Sequence, residues 1–149
     1  MDPRHAAYVE DVALYWEAQG LPRIAGRIVG WLMICDPPHR SARQLADDLG
    51  ASKASVSTMT RLLLTSGSIE VVPVPGERAT HYALTVEGIE HKLVRRVQGI
   101  VSFADLARQG LELVEPEQAD RLEQIASLYT FLERELPLLL ARWREEREA

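Results

Sequence analysis

The stretch around Gly50 constrains the fold of this chain more than any other part of the sequence. Leu45, Ala46 and Leu49 share one helical face, and Gly50 then supplies the backbone freedom that a tight turn needs. Ser52 follows, and a serine hydroxyl at that position can cap a second helix by accepting a backbone N–H. The pattern therefore predicts two short helices joined by a tight turn, which is a helix-turn-helix.

The second predicted helix has one apolar face and one polar, basic face. Val56, Met59 and Leu63 recur at helical spacing, so they are predicted to be buried. With about 100° of rotation per residue, small, hydroxyl-bearing and basic side chains lie on the outward face and its flanks. These residues are Lys53, Ala54, Ser57, Thr58, Arg61 and Thr65. Arg and Lys read guanine, and Ser and Thr bond bases or phosphates, so this face predicts insertion into a DNA major groove.

A β-hairpin is predicted directly after the helix-turn-helix. Residues 69–74 and 81–84 are short β-prone runs, and residues 75–80 between them are turn material. A hairpin in this position indicates a wing. The wing would bring Arg78, Thr80 and His81 to the phosphate backbone or the minor groove.

The predicted DNA-binding set combines the outward helix face, its cap, the wing and one residue of the preceding helix. It consists of Arg43, Ser52, Lys53, Ala54, Ser55, Ser57, Thr58, Arg61, Arg78, Thr80 and His81. Arg43 is included because the first turn of a helix is a favourable place for a phosphate contact. The competing interpretation of these residues is an ordinary solvated surface.

The net charge of −5 is unusual for a DNA-binding protein, but it is unevenly distributed. Residues 1–20 sum to −3 and residues 83–149 to −4, whereas residues 21–82 sum to +2. An acidic scaffold with a locally basic reading surface is compatible with DNA binding, because the field near the contact matters more than the total.

Length and composition predict one domain of residues 1–149 with a real hydrophobic core. The longest apolar run falls far short of the roughly 20 residues that cross a bilayer, so no membrane association is expected. Cys35 is the single cysteine and the N-terminus has no secretory pattern, which favours a cytoplasmic location. The fold class expected is mainly α with a small β-hairpin wing.

Long amphipathic helices are predicted at both ends of the chain, over residues 6–19, from Thr85 to about residue 109, and from Pro116 onward. Their apolar stripes exceed what a small winged helix needs, so residues 1–20 and 86–149 are predicted to form a homodimer interface around the DNA-binding region of residues 21–85. The candidate dimer residues are Val9, Val12, Tyr15, Trp16, Leu122, Ile125, Tyr129, Leu132 and Leu136. Two copies would read a palindromic site with half-sites about 34 Å apart or a multiple of that distance.

No catalytic, cofactor or metal site is predicted. The four histidines show no metal-ligand spacing, and no second cysteine joins them. Phosphate-binding glycine loops, nucleophile elbows and clustered acid pairs are likewise not seen, and consecutive acids such as Asp47 and Asp48 diverge on a helix. An enzyme is therefore the least favoured class.

Four segments of the chain together carry a resemblance to a known family. They are residues 20–28, residues 36–38, the helix-turn-helix with residues 51–57, and residues 75–78. Together they resemble the GbsR branch of the MarR family of bacterial and archaeal regulators. The resemblance is densest over residues 20–82. It implies a winged-helix homodimer that represses or modulates transcription and whose terminal helices form the dimer interface.

Three further hypotheses stay open at the level of sequence. The aromatic residues Tyr8, Tyr15, Trp16, Trp31 and Tyr129 could form a cage for a quaternary ammonium effector, although aromatics at helical spacing more often pack in a core. Cys35 could be a redox sensor or a buried, inert thiol. The winged helix could also serve as a protein-interaction module without direct DNA readout.

Overall fold

The computed structural model describes all residues from Met1 to Ala149 and divides into two compact units, Met1–Ile89 and Glu90–Ala149. Unit 1 contains the helix-turn-helix, the sheet and the first two helices. The first helix packs along the second and belongs to unit 1, and its grouping with residues 86–149 in a dimer interface stays a prediction.

Unit 1 opens with α1 (Pro3–Ala18) and α2 (Arg23–Ile34), which lie against each other. Glycine makes the close packing possible, since a Cβ on Gly26 would lie 2.8 Å from the Ala13 Cα atom. Val9 is only 1% exposed and lies in the core of unit 1. Its prediction as a dimer contact is therefore corrected, because the side chain is already covered by its own chain.

The predicted helix-turn-helix is confirmed as α3 (Ala42–Leu49) and α4 (Lys53–Thr65). A capping box begins α3: the Gln44 N–H donates to Ser41 Oγ at 3.2 Å, and the Ser41 N–H donates to Gln44 Oε1 at 2.8 Å. Gly50 adopts the left-handed φ of +58° that the tight turn requires.

The wing belongs to a three-stranded antiparallel sheet of β1 (Arg40–Ser41), β2 (Ile69–Val72) and β3 (His81–Leu84), in the order β1-β3-β2. The hairpin was predicted, and β1 was not, because two residues are too short to show an alternating pattern. Strand β2 ends before Pro73, which lacks the N–H that a ladder needs.

One hydrophobic core holds unit 1 together. Its fully buried side chains come from every helix of the unit and include Val9, Ile28, Leu45, Val56 and Leu63. The apolar faces predicted for α3 and α4 therefore meet inside the protein. This packing leaves the opposite face of α4 in solvent.

Unit 2 consists mainly of two long helices. Helix α5 (Val86–Leu111) begins in unit 1 and continues into unit 2, and α6 (Asp120–Glu148) follows a 3-10 turn, Pro116–Gln118. Helix α6 runs through Pro137. None of the helices is both long enough and apolar enough to span a bilayer.

Candidate nucleic-acid interface

The outward face of α4 is exposed as its sequence predicts. Lys53, Ala54, Ser57, Thr58 and Arg61 are all exposed, and Thr65 at the end of the helix is exposed as well. The opposite face is buried at Val56, Thr60 and Leu63. Thr60 is the polar member of that buried face, and its hydroxyl donates to the Val56 carbonyl oxygen at 2.9 Å.

Two serines build the N-terminus of α4. Ser52 Oγ accepts the Ser55 backbone N–H at 3.1 Å and donates to Ser55 Oγ at 2.8 Å. Lys53 is the first helical residue after this cap. A helix N-terminus carries partial positive charge, so the cap and Lys53 together form an environment that favours an anion.

Helix α4 carries two cations, Lys53 and Arg61, and no acidic residue. Unit 1 contains eight Lys and Arg residues in all. Five of them pair with carboxylates: Arg4 with Asp2, Arg23 and Arg27 with Glu10, Arg40 with Asp48, and Arg43 with Asp47. The three without a carboxylate partner are Lys53, Arg61 and Arg78, and these lie on α4 and in the wing.

The pairing of Arg43 is weak. Its Nε atom lies 3.8 Å from Asp47 Oδ2 one helical turn along α3, and the Arg43 side chain is 84% exposed. Exposed pairs of this kind contribute from nothing to about 1 kcal/mol. A phosphate could therefore replace Asp47 as the partner of Arg43 at little cost.

The wing loop, residues 73–80, turns sharply at its tip. The Glu77 N–H donates to the Val74 carbonyl oxygen at 3.1 Å, with Pro75 and Gly76 in the central positions and a Gly76 φ of +82°. Pro followed by Gly with positive φ is the sequence of a type II turn. Arg78 and Thr80 follow this turn and are exposed.

His81 is not exposed, and the structure corrects its prediction as a DNA contact. Its side chain is 1% exposed, with Nε2 at 2.6 Å from Glu77 Oε2 and Nδ1 at 3.0 Å from His39 Nδ1. Sequence reasoning missed His39 and Glu77 as its partners. A four-residue strand alternates its side chains but does not tell which set faces inward.

Arg40 lies near the helix-turn-helix but is fully engaged inside the protein. Its side chain is 13% exposed, and its Nε atom donates to Asp48 Oδ2 at 3.1 Å. The remaining guanidinium contacts are to the carbonyl oxygens of Asp36, Pro37 and His39. Arg40 therefore holds the turn before α3 and leaves DNA contact to the exposed cations.

Cys35 is buried, at 6% exposure, at the C-terminal end of α2. Burial raises the pKa of the Cys35 thiol, and this effect outweighs the nearby Arg40 guanidinium, which lowers it. The reactive form of cysteine is the thiolate. The environment therefore favours the inert-thiol interpretation over the redox sensor.

The aromatic residues considered for an effector cage have separate surroundings. Trp31 is buried and donates its indole N–H to Asp48 Oδ2 at 2.7 Å. The Tyr15 and Trp16 rings contact each other at 5.3 Å between centroids, and Tyr129 of unit 2 packs on Phe103 at 4.6 Å. No cluster of three or more His, Cys, Asp or Glu side chains is placed to hold a metal ion.

The remaining predicted dimer residues differ in exposure. Val12 and Trp16 pack against the core of unit 1, whereas Tyr15 is 57% exposed. In unit 2, Ile125 is exposed, and the half-buried members are Leu122, Tyr129, Leu132 and Leu136. The sequence interpretation missed several large exposed apolar residues of unit 2, namely Phe103, Leu106, Leu128, Phe131 and Leu138, whereas the exposed Leu139 and Trp143 continue the apolar stripe predicted for the last helix.

The chain is 32% identical over 145 residues to the HTH-type transcriptional regulator MmpR5 of Mycobacterium tuberculosis (strain ATCC 25618 / H37Rv), a similarity that covers 95% of this chain and 88% of that protein. The chain belongs to the MmpR5-like MarR family of transcriptional regulators. The family model itself matches residues 88–146. A crystal structure of a transcriptional regulator is also similar, with 32% identity, a TM-score of 0.68, and coverage of 96% of this chain and 99% of that one.

Family membership confirms the broad functional prediction. A MarR-family protein is a winged-helix, DNA-binding transcriptional regulator and not an enzyme. The fold prediction, mainly helical with a small β wing, is confirmed as well. In this chain, the exposed face of α4 and the wing loop carry the basic side chains without a carboxylate partner.

Proposed function

We propose that this MarR-family regulator represses transcription as a homodimer that binds a palindromic operator, with α4 in the major groove and the wing loop against the phosphate backbone. The observation that carries the proposal is the distribution of unpaired cations. Lys53, Arg61 and Arg78 are the only Lys and Arg residues of unit 1 without a carboxylate partner. Unpaired cations can take phosphates or base edges without first breaking an internal ion pair.

The side chains of the α4 face suit complementary parts of a duplex. Arg61 and Lys53 have the donors that read guanine, while Ser57 and Thr58 can bond bases or phosphates. Ala54 presents a methyl group of the kind that contacts thymine. Phosphate contacts are assigned to Ser52 and Ser55 at the helix N-terminus, to Arg43 on α3, and to Arg78 and Thr80 in the wing loop.

The proposed homodimer is supported by the composition of the buried part of unit 2. Its buried apolar residues are all alanines, Ala104, Ala107, Ala119 and Ala126. Its large apolar side chains are half-buried or exposed instead. Two helices with only alanines inside lack the apolar burial that stabilises a unit on its own, and a second copy would supply it.

DNA binding by the purified protein tests the proposal directly. Fluorescence anisotropy with the duplex upstream of the regulator's own gene, in a salt series, should show tight, salt-dependent binding and weaker binding to a scrambled duplex of equal length. Selection of bound genomic fragments should return one palindromic motif. Binding to no duplex, or binding insensitive to salt, would instead favour the second candidate, a winged helix that docks onto another protein.

We further infer that the chain belongs to the GbsR-type branch, because four of its segments resemble that branch. We infer control by a small-molecule effector from the functions of the same branch. A cytoplasmic site of action is proposed because the regulator's partner is DNA and its one cysteine suits a reducing compartment.

A further inference from the structure

A buried histidine connects the wing loop to the turn that precedes the helix-turn-helix. His81 on β3 lies between Glu77 of the wing loop, at 2.6 Å from Nε2, and His39, at 3.0 Å from Nδ1. The two imidazole rings meet edge to face with centroids 4.9 Å apart. Glu77 immediately precedes Arg78, and His39 immediately precedes β1 and Arg40.

The contacts of His81 with Glu77 and His39 determine which nitrogens of the two imidazole rings carry a hydrogen. A carboxylate accepts, so His81 Nε2 carries a hydrogen and donates it to Glu77. The two Nδ1 atoms then share one hydrogen, with one nitrogen donating and the other accepting.

The charged groups on the surrounding elements do not replace this link. Arg40 on β1 is bound to Asp48 of α3 and to three carbonyl oxygens. The charged residues of α2, Arg23 and Arg27, pair with Glu10 of α1, and the other ionisable group near the end of α2 is the Cys35 thiol. On β2 the acidic residue is Glu70, opposite Ala83, and on β3 the phenol is Tyr82, opposite Arg40 and Val71.

Strand pairing of the His81 backbone also connects the wing loop to the start of the helix-turn-helix. His81 is paired in register with Ser41 of β1, the residue that caps α3, and with Val72 at the end of β2. Beyond Val72 the wing loop runs for eight residues without strand pairing before it reaches His81. Within this loop, the Glu77–His81 contact is the side-chain bond that ties the segment beside Arg78 back to the sheet.

We propose that His81 is a positioning residue for DNA binding: through Glu77 it holds Arg78 of the wing loop in a defined place relative to the helix-turn-helix, and through His39 it is tied to the turn before β1. The inference rests on the proposed wing contact with DNA. It replaces the role predicted for His81 from sequence, because the buried ring orients the wing without touching the duplex.

A purely electrostatic role and a positioning role of Glu77 predict opposite effects of Glu77→Ala on operator binding. If Glu77 were only an acid beside the DNA, Glu77→Ala would strengthen operator binding by removing repulsion, as Glu70→Ala on the exposed part of β2 should do. If Glu77 positions the wing, Glu77→Ala weakens operator binding by about fivefold or more while Glu70→Ala does not. Parallel strengthening by both substitutions, with both variants folded by circular dichroism, overturns the proposal.

His39 supplies the second test. His39→Asn keeps a hydrogen-bonding amide near the Nδ1 position and should retain operator affinity, whereas His39→Ala removes the partner of His81 Nδ1 and should weaken operator binding by about fivefold. His91→Ala, on the exposed surface of α5, is the matched control and should bind like the natural chain.

The outcomes separate this inference from the proposed function. Unchanged operator affinity in Glu77→Ala and His39→Ala, with both variants folded, overturns the role of the histidine link. Failure of the natural chain to bind any duplex overturns the proposed operator recognition instead. Long-range nitrogen-15 spectra of the imidazoles, recorded without DNA, should show His81 with a hydrogen on Nε2, as donation to Glu77 requires.

Discussion

Trp31 of α2 donates its indole N–H to Asp48 of α3 at 2.7 Å, and the same carboxylate oxygen accepts from Arg40. One acidic side chain thus joins the second helix, the first helix of the helix-turn-helix and β1. Arg40 also lies over the Trp31 ring, with its guanidinium carbon 5.5 Å from the ring centroid. These contacts link the helix-turn-helix to α2 and to β1.

Asp48→Ala should lower the free energy of unfolding by about 2 kcal/mol, because it leaves the buried indole N–H and the mostly buried guanidinium without their shared acceptor. Urea denaturation followed by circular dichroism measures the change. The matched control is Asp47→Ala, which removes an exposed carboxylate paired only at 3.8 Å with Arg43. Equal losses in the two variants would contradict the structural role of Asp48.

Arg61→Ala should cost about 1–3 kcal/mol on the operator and less on random DNA, because a side chain that reads a base discriminates between sequences. Competition anisotropy with the operator and a scrambled duplex measures both losses. A loss of equal size on the two duplexes would assign Arg61 to the phosphate backbone.

Arg78→Ala is the comparison for that experiment. A wing contact to phosphate should weaken binding to all duplexes alike and reduce the steepness of the salt dependence by about one counterion. The plot of log affinity against log salt concentration gives this slope. An unchanged slope together with unchanged affinity would remove Arg78 from the interface.

Leu128→Glu should convert the proposed dimer into a monomer, because it places a charge among the exposed apolar side chains of α6. Sedimentation velocity measures the change in mass. Val71→Glu is the control, since Val71 is similarly exposed on the wing strand β2 of unit 1. A natural chain that sediments as a monomer would refute the dimer itself.

Cys35 should react slowly with an aromatic disulfide reagent in the native protein. Its raised pKa means that less thiolate is present near neutral pH than in an ordinary cysteine, and burial also hinders access. We expect the rate to increase by at least about tenfold in denaturing urea, and Cys35→Ser to bind DNA normally before and after peroxide treatment. Fast labelling of the native chain would restore the redox hypothesis.

Most of the helical framework was predictable because its signals are local. The capping box at Ser41 and Gln44, the glycine turn at Gly50 and the apolar spacing of α4 each act within a few residues of sequence. The exposed α4 face followed from helical geometry alone. The tip of the wing followed from Pro75 and Gly76 in the same way, because these residues restrict their own backbone.

The tertiary structure alone decided which side of β3 faces inward, that the short β1 pairs with it, and that α1 belongs to the core of unit 1. These outcomes depend on contacts between residues far apart in the chain, such as His81 with His39 and Val9 with the core around α2. The sequence determined the local elements because caps, turns and periodicity are short-range properties of the backbone. Burial and partners were decided by packing, which no single segment encodes.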